Sequence, residues 1–156
     1  MGVVIQEMVD AEAAGVLFTV NPNDGDPSKM ILTANFGLGE SVVSASADPD
    51  TIVLKRTYSG EVSIGERTLG AKHSKVVLTD DGTTEQELDP EHSAIPCLAD
   101  GTILRLGHLG LYLEKIFGGP RDLEFAVAKE IIFLLQVSRT CWAFVAKVTL
   151  NYRSAQ

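Results

Sequence analysis

The sequence predicts an α+β fold of mostly antiparallel strands with one long helix. Short apolar runs bounded by turn residues fill the first two-thirds of the chain. One stretch, residues 100–117, repeats its apolar residues at helical spacing, and two further apolar runs, 123–127 and 131–136, follow it. Strands, then one helix, then a strand pair fits α+β better than a regular βαβ array.

Taken in order, Val3-Val4-Ile5 opens a short apolar run that leads into Gln6-Glu7-Met8-Val9. Residues 14–20 read as a strand, stopped by Asn21-Pro22-Asn23-Asp24-Gly25-Asp26-Pro27, a dense cluster of turn formers. Residues 30–36 form the next strand and end at Gly37, and 41–47 read as a short helix or strand before Asp48-Pro49-Asp50. Residues 51–56 and 75–79 are further strands, the latter closed by Asp80-Asp81-Gly82, while 83–96 read as polar and irregular. In the helix, Ile103, Leu106, Leu109, Leu113, Ile116 and Phe117 recur at near-helical spacing, and Gly118-Gly119-Pro120 stops it. Gly107 and Gly110 each cost about 1 kcal/mol relative to Ala inside a helix. They mark close packing against another backbone, or a tolerated weakness.

Composition narrows the functional classes. At 156 residues the chain is one domain with room for a real core, and 45% hydrophobic with 22% charged residues is ordinary for a globular protein. A net charge of −8 argues against nucleic acid as the main partner, which wants a basic face. A nucleotide is not excluded, since it needs only local cations, backbone amides and a metal. Cys97 and Cys141 form neither metal-ligand spacing nor a disulfide framework, so a reducing, cytoplasmic setting is expected. The chain shows no charged start followed by an apolar signal segment, and the apolar run 141–146 is too short to span a bilayer. No membrane partner is expected.

The candidate chemistry centres on Glu124 and Gln136. Leu123, Phe125 and Val127 alternate with Glu124 and Ala126, which puts Glu124 on the face opposite the large side chains. Where Gln136 faces depends on the loop. A three-residue connection, Ala128-Lys129-Glu130, would pair Val127 with Ile131 and Glu124 with Leu134, leaving Gln136 diagonal to Glu124 at roughly 7–8 Å on the same face. An even-length loop would send it to the other face. Hard oxygen ligands so placed suit magnesium bridging to phosphate. The alternative is a solvated Glu on an amphipathic strand and a Gln at a strand end.

Other features are less specific. Phe36-Gly37-Leu38-Gly39-Glu40-Ser41 reads as a phosphate-approaching glycine loop or as a tight strand-to-helix turn. It lacks the third glycine of the dinucleotide fingerprint and the Gly-Lys-Ser/Thr of the P-loop. His73, His92 and His108 have no partner at diagnostic spacing and are not expected to be catalytic. Lys72 and Lys75 either contact a phosphate or form a solvated patch.

Together the segments are more telling. Val4-Ile5-Gln6-Glu7-Met8-Val9, Ala14-Gly15-Val16-Leu17-Phe18-Thr19 with Asn21-Pro22, Phe36-Gly37-Leu38-Gly39-Glu40, Asp48-Pro49-Asp50, Leu69-Gly70-Ala71-Lys72, Gly118-Gly119-Pro120-Arg121-Asp122-Leu123-Glu124-Phe125 and Leu134-Leu135-Gln136 run in one order. Over residues 3–136 they resemble the N-terminal ATP-binding region of phosphoenolpyruvate synthase (pyruvate, water dikinase) and its relatives, pyruvate phosphate dikinase and rifampicin phosphotransferase. The resemblance implies the second half of an ATP-grasp fold over residues 1–136. It also implies a reaction in which ATP phosphorylates a histidine on a separate domain, which passes the phosphoryl group to pyruvate or a drug hydroxyl. Carried over by position, Gln6 lies near the adenine and ribose, Glu7 and Met8 lie in the hinge beside it, and Glu40 is a further site residue. Glu124 and Gln136 become Mg2+ ligands, with ATP and Mg2+ as the cofactors.

The chain also departs from that family. The first ATP-grasp half, with its phosphate-binding lysine and arginine, and the phosphohistidine domain are missing from this sequence. The isolated chain is therefore expected to be inactive, or to persist as a non-catalytic α+β module. The family continues as Gln-x-Arg-Pro, whereas here the run is Gln136-Val137-Ser138-Arg139-Thr140, so Ser138 stands where the arginine is expected. Arg139 is one residue away and, in a strand, on the opposite face. Gln-Val-Ser is encodable as CAG-GTG-AGT, a eukaryotic splice-donor boundary. We hypothesise that residues 137–156 are translated intron; the alternative is a genuine divergent C-terminus. A genomic exon running through these codons into ordinary family sequence would refute this.

Overall fold

The computed structural model describes residues 3–43 and 48–140. Its elements are β1 (Ala13–Phe18), β2 (Lys29–Phe36), α1 (Glu40–Val43), β3 (Asp50–Arg56), β4 (Val62–Thr68), β5 (Ser74–Thr79), β6 (Gly82–Glu87), α2 (Pro90–Ser93), α3 (Asp100–Phe117), β7 (Arg121–Ala128) and β8 (Ile131–Arg139). Six strands form one antiparallel sheet in the order β4-β3-β2-β1-β7-β8, and β5-β6 is a separate two-stranded ribbon. The fold is α+β, as the element order predicts.

The core lies between one sheet face and α3. Leu17, Met30, Leu32, Ile52, Leu54, Leu123 and Phe125 come from alternate positions of four strands, and Ile103, Leu106 and Leu113 meet them from the helix. Each such side chain contributes about 1.5–3 kcal/mol when fully buried. The helix spans the expected residues, and Gly118 at φ 70° ends it, its amide donating to the Glu114 carbonyl at 2.8 Å.

The two helix glycines are packing positions, and the contact is with side chains. A Cβ on Gly107 would lie 2.7 Å from Val62 Cγ1 and 3.1 Å from Leu54 Cδ1, and one on Gly110 would lie 3.0 Å from Thr19 Cγ2. Gly101, in the same helix, has nothing within 4 Å of its missing Cβ. Gly101→Ala should therefore raise stability by up to about 1 kcal/mol. Gly107→Ala gains the same propensity but meets an overpacking cost of about 1–3 kcal/mol. Urea unfolding of the two variants should give opposite signs; equal gains would mean that α3 does not approach β4 so closely.

Two polar ties fix how the layers sit. The Thr19 hydroxyl donates to Glu114 Oε1 at 2.5 Å and accepts the Arg121 amide at 2.9 Å, so it joins the end of α3 to the start of β7. Arg56 Nη1 donates to the other Glu114 oxygen at 2.6 Å. The second tie is Asp50, whose Oδ1 accepts from Lys72 Nζ at 2.5 Å and the Gly70 amide at 3.0 Å, while Oδ2 accepts the Cys97 amide at 2.9 Å. Lys72 is fully buried, so it is part of no solvated patch and contacts no phosphate. Burial, with the Asp50 carboxylate beside it, pushes the Cys97 thiol well above its ordinary range.

Several expectations need correction. The 83–96 region is not irregular, because β6 pairs with β5 and Asp89 caps α2, its carboxylate accepting the His92 amide at 2.9 Å. Every residue of β6 is exposed, so no apolar alternation announces it. Edge strand β4 carries only Val62 and Ile64 as apolar residues, too few to register as a strand. Val3, Val4 and Ile5 are exposed and join no strand. Residues 41–43 are helical, while 44–47, in the same expected segment, lie outside the described residues.

Candidate functional site

The sheet face away from α3 carries the candidate site. Glu124 sits on β7 between Leu123 and Phe125, which point into the core, and its backbone partners are Val16 on β1 and Gln136 on β8. Gln136 Nε2 lies 3.4 Å from Glu124 Oε1, so the amide and the carboxylate do share a face. The route differs from the expected one. The connection is two residues, Lys129-Glu130, closing on Ala128 and Ile131, and Val127 pairs with Ile132 rather than Ile131. Both turn residues have positive φ, 51° and 62°, as a tight two-residue hairpin requires. That even-length loop alone would turn Gln136 away. A register shift between Glu124 and Phe125 returns it, so that Phe125 pairs with Leu134 but Glu124 with Gln136.

A cleft of about 750 Å³ opens on this face, and Gln6, Glu7, Met8, Glu40 and Glu124 all line it. Its apolar side is the cluster of Ala11, Ala14, Leu38 and Ala126, with Val9, Val76 and Leu135 packed against it. The β5–β6 ribbon forms one wall and is held by its root. The Leu38 amide donates to the Val76 carbonyl at 2.7 Å, and Asn35 Nδ2 donates to the Ser74 carbonyl at 3.3 Å. Gly37 makes this approach possible: its φ is 73°, and a Cβ there would lie 2.1 Å from the Val76 carbonyl oxygen. The 36–41 segment is thus a strand-to-helix turn leading from β2 into α1.

Charge in the cleft is one-sided. Glu7, Glu40, Glu85 and Glu124 line it, and no lysine or arginine is among the described residues that do. Glu85, whose Oε1 accepts from the Ser74 hydroxyl at 2.5 Å, is a wall residue missed in the sequence because β6 was unreadable there. Lys75 lines an adjoining cavity that shares Gln6, Glu7, Met8, Val9, Ala11 and Leu135 with the cleft. His73 and His108 are exposed, and His92 pairs with Asp89 at 2.7 Å; none lines the cleft. Ser138 pairs with Asp122 on the Glu124 face, and Arg139 pairs with Arg121 on the opposite one.

The donor set fits a hard divalent cation. No group of three or more His, Cys, Asp or Glu side chains among the described residues could hold a metal by itself. Glu124 and Gln136 would supply two protein oxygens, the amide turning its oxygen toward the carboxylate side, and magnesium commonly completes its shell with water and phosphate oxygens.

The sequence of residues 1–143 matches the family model described as pyruvate phosphate dikinase, AMP/ATP-binding domain. The chain belongs to this family. It is 38% identical over 136 residues to a probable phosphoenolpyruvate synthase of Methanothermobacter thermautotrophicus, covering 87% of this chain and 19% of that protein. It is 34% identical over 136 residues to the uncharacterized phosphotransferase YvkC of Bacillus subtilis, covering 87% and 16%. A rifampicin phosphotransferase of Streptomyces sviceus is 36% identical over 137 residues, covering 87% and 15%. The chain thus spans less than a fifth of the length of these relatives. As a pyruvate phosphate dikinase AMP/ATP-binding domain, it carries the ATP-binding region of a phosphotransferase family. No helix among its described residues is long and apolar enough to cross a membrane.

Proposed function

We propose that residues 1–136 are the magnesium-bearing second half of an ATP-grasp nucleotide site, the ATP-binding part of a dikinase-type phosphotransferase. In this reading Glu124 and Gln136 hold Mg2+, Gln6, Glu7 and Met8 line the nucleoside end of the cleft, and Glu40 stands at its rim. One observation carries the proposal: Glu124 lines a cleft with three other glutamates and no lysine or arginine among its described lining residues, and the exposed Gln136 amide lies 3.4 Å from its carboxylate on the same sheet face. A polyphosphate entering such a cleft needs its charge neutralised, and a divalent cation supplies that at the least cost in space. When bound, Mg2+ would bridge phosphate oxygens and offset their charge.

The family's chemistry would send the phosphoryl group from ATP to a histidine on another domain and then to an acceptor. Relatives named for phosphoenolpyruvate synthesis and for rifampicin phosphorylation match this chain about equally, so its sequence does not distinguish between their acceptors. Phosphoryl transfer depends on positioned cations around the phosphates. We therefore expect the isolated chain to bind magnesium-ATP without turning it over, and place it in the cytoplasm.

Calorimetric titration tests this directly. Magnesium-ATP should bind to the chain, alone or with a first ATP-grasp half supplied in trans, and ATP with excess chelator should bind much more weakly. A folded chain that binds neither form in either setting would reject the nucleotide reading. Full dikinase turnover by the purified chain would reject the expectation of inactivity.

A further inference from the structure

We propose that the β-bulge at Leu135 is the device that places Gln136 opposite Glu124, which makes Leu135 a positioning residue; this rests on the magnesium reading above. The turn at Lys129-Glu130 sets a register in which Ala128, Val127, Ala126 and Phe125 meet Ile131, Ile132, Phe133 and Leu134. Continued by one step, that register would pair Glu124 with Leu135. Gln136 would then pair with Leu123, whose side chain lies in the core, and would face α3. The ladder instead gives Glu124 to Gln136, so Leu135 and Gln136 together oppose one residue. A bulge of this kind inserts one residue and re-aims the side chains after it.

Leu135 holds the bulge in place. Its side chain packs against the cleft-side cluster of Ala11, Ala14, Leu38 and Ala126, and it lines the cleft. Two consecutive side chains therefore reach the same face: Leu135 as an apolar anchor and Gln136 as a polar ligand 3.4 Å from the carboxylate. An unbroken strand cannot do this, because neighbours alternate. In a regular ladder the apolar anchor would be kept and the amide lost to the core side.

Exchanging the two residues tests the geometry and its purpose. The probe is Mn2+ binding in the presence of ATP, followed by electron paramagnetic resonance, on the full chain. Gln136→Leu alone should weaken Mn2+ binding by about 10–100-fold, the range for disturbed metal shells. The swap L135Q/Q136L should recover most of that loss, because both positions face the cleft. A swap as weak as Gln136→Leu would overturn the bulge proposal while leaving the metal assignment intact. A Gln136→Leu variant that binds Mn2+ like the parent would overturn the metal assignment and this inference with it. NMR on the unliganded chain reads the geometry independently of metal. The Gln136 side-chain amide should contact Glu124, and its contact with core methyls of Leu123 or α3 instead would refute the bulge.

Discussion

Glu124→Ala should weaken magnesium-dependent nucleotide binding by at least about 10–100-fold, given that even outer-shell changes cost that much at metal sites. Stability should hardly move. Glu124 is half-buried on the cleft face, contributes nothing to the core cluster, and shares the cleft with Glu7, Glu40 and Glu85. Removing it relieves like-charge repulsion, so a change within about 0.5 kcal/mol is expected, as for substitutions away from packed features. Glu124→Gln keeps the shape and separates charge from volume: it should lose nearly as much affinity. Calorimetry gives the affinity and urea unfolding the stability. An alanine variant that binds magnesium-ATP as well as the parent would remove Glu124 from the site.

Lys72→Met should be the most destabilising substitution in the domain that leaves the hydrophobic core untouched. The Lys72–Asp50 pair is almost wholly buried, at 0% and 2% side-chain exposure. Taking away the lysine strands a carboxylate away from water with only backbone amides for partners, which typically costs about 3–5 kcal/mol. Domains have total stabilities of about 5–15 kcal/mol, so the loss would be plain in a urea midpoint. Adding Asp50→Asn to the variant should recover part of it, since the neutral amide no longer pays for an unpaired charge. A Lys72→Met protein within about 1 kcal/mol of the parent would mean that the pair is open to water.

Much of this fold can be read in the chain, and the unreadable parts have physical causes. The long helix is legible because its apolar repeat is regular and its glycine stop is chemically explicit. Strands β1, β2, β3 and β5 are legible because apolar residues dominate them. Strands β4 and β6 are not, since an exposed strand pairs through its backbone and leaves its side chains free to be polar. The sequence does not announce the burial of Lys72, because its partner Asp50 is 22 residues away.

The hairpin is the most instructive case. Both of its strands are visible, yet its register is not, because Lys129 and Glu130 adopt positive φ without the glycine or asparagine that usually signals such a turn. The bulge has no sequence mark either. Alternation along β7 correctly sets Glu124 apart from the core, whereas the partner on β8 depends on an odd-residue insertion that only the ladder reveals. The gathering of Gln6, Glu7, Met8 and Glu40 around one cleft likewise depends on chain segments that no local pattern connects.

The Asp50 carboxylate has a dynamic consequence. Its two oxygens take up amides 20 residues and 47 residues away along the chain, at the root of the β5–β6 ribbon and at the entry to α3, along with the lysine beside the ribbon. Release of either segment removes part of the hydrogen bonding of this buried carboxylate. The ribbon is therefore not a free flap. The cleft wall that carries Val76 and Glu85 is expected to loosen together with the helix entry on the far side of the sheet, which matched hydrogen-exchange protection of the two would show.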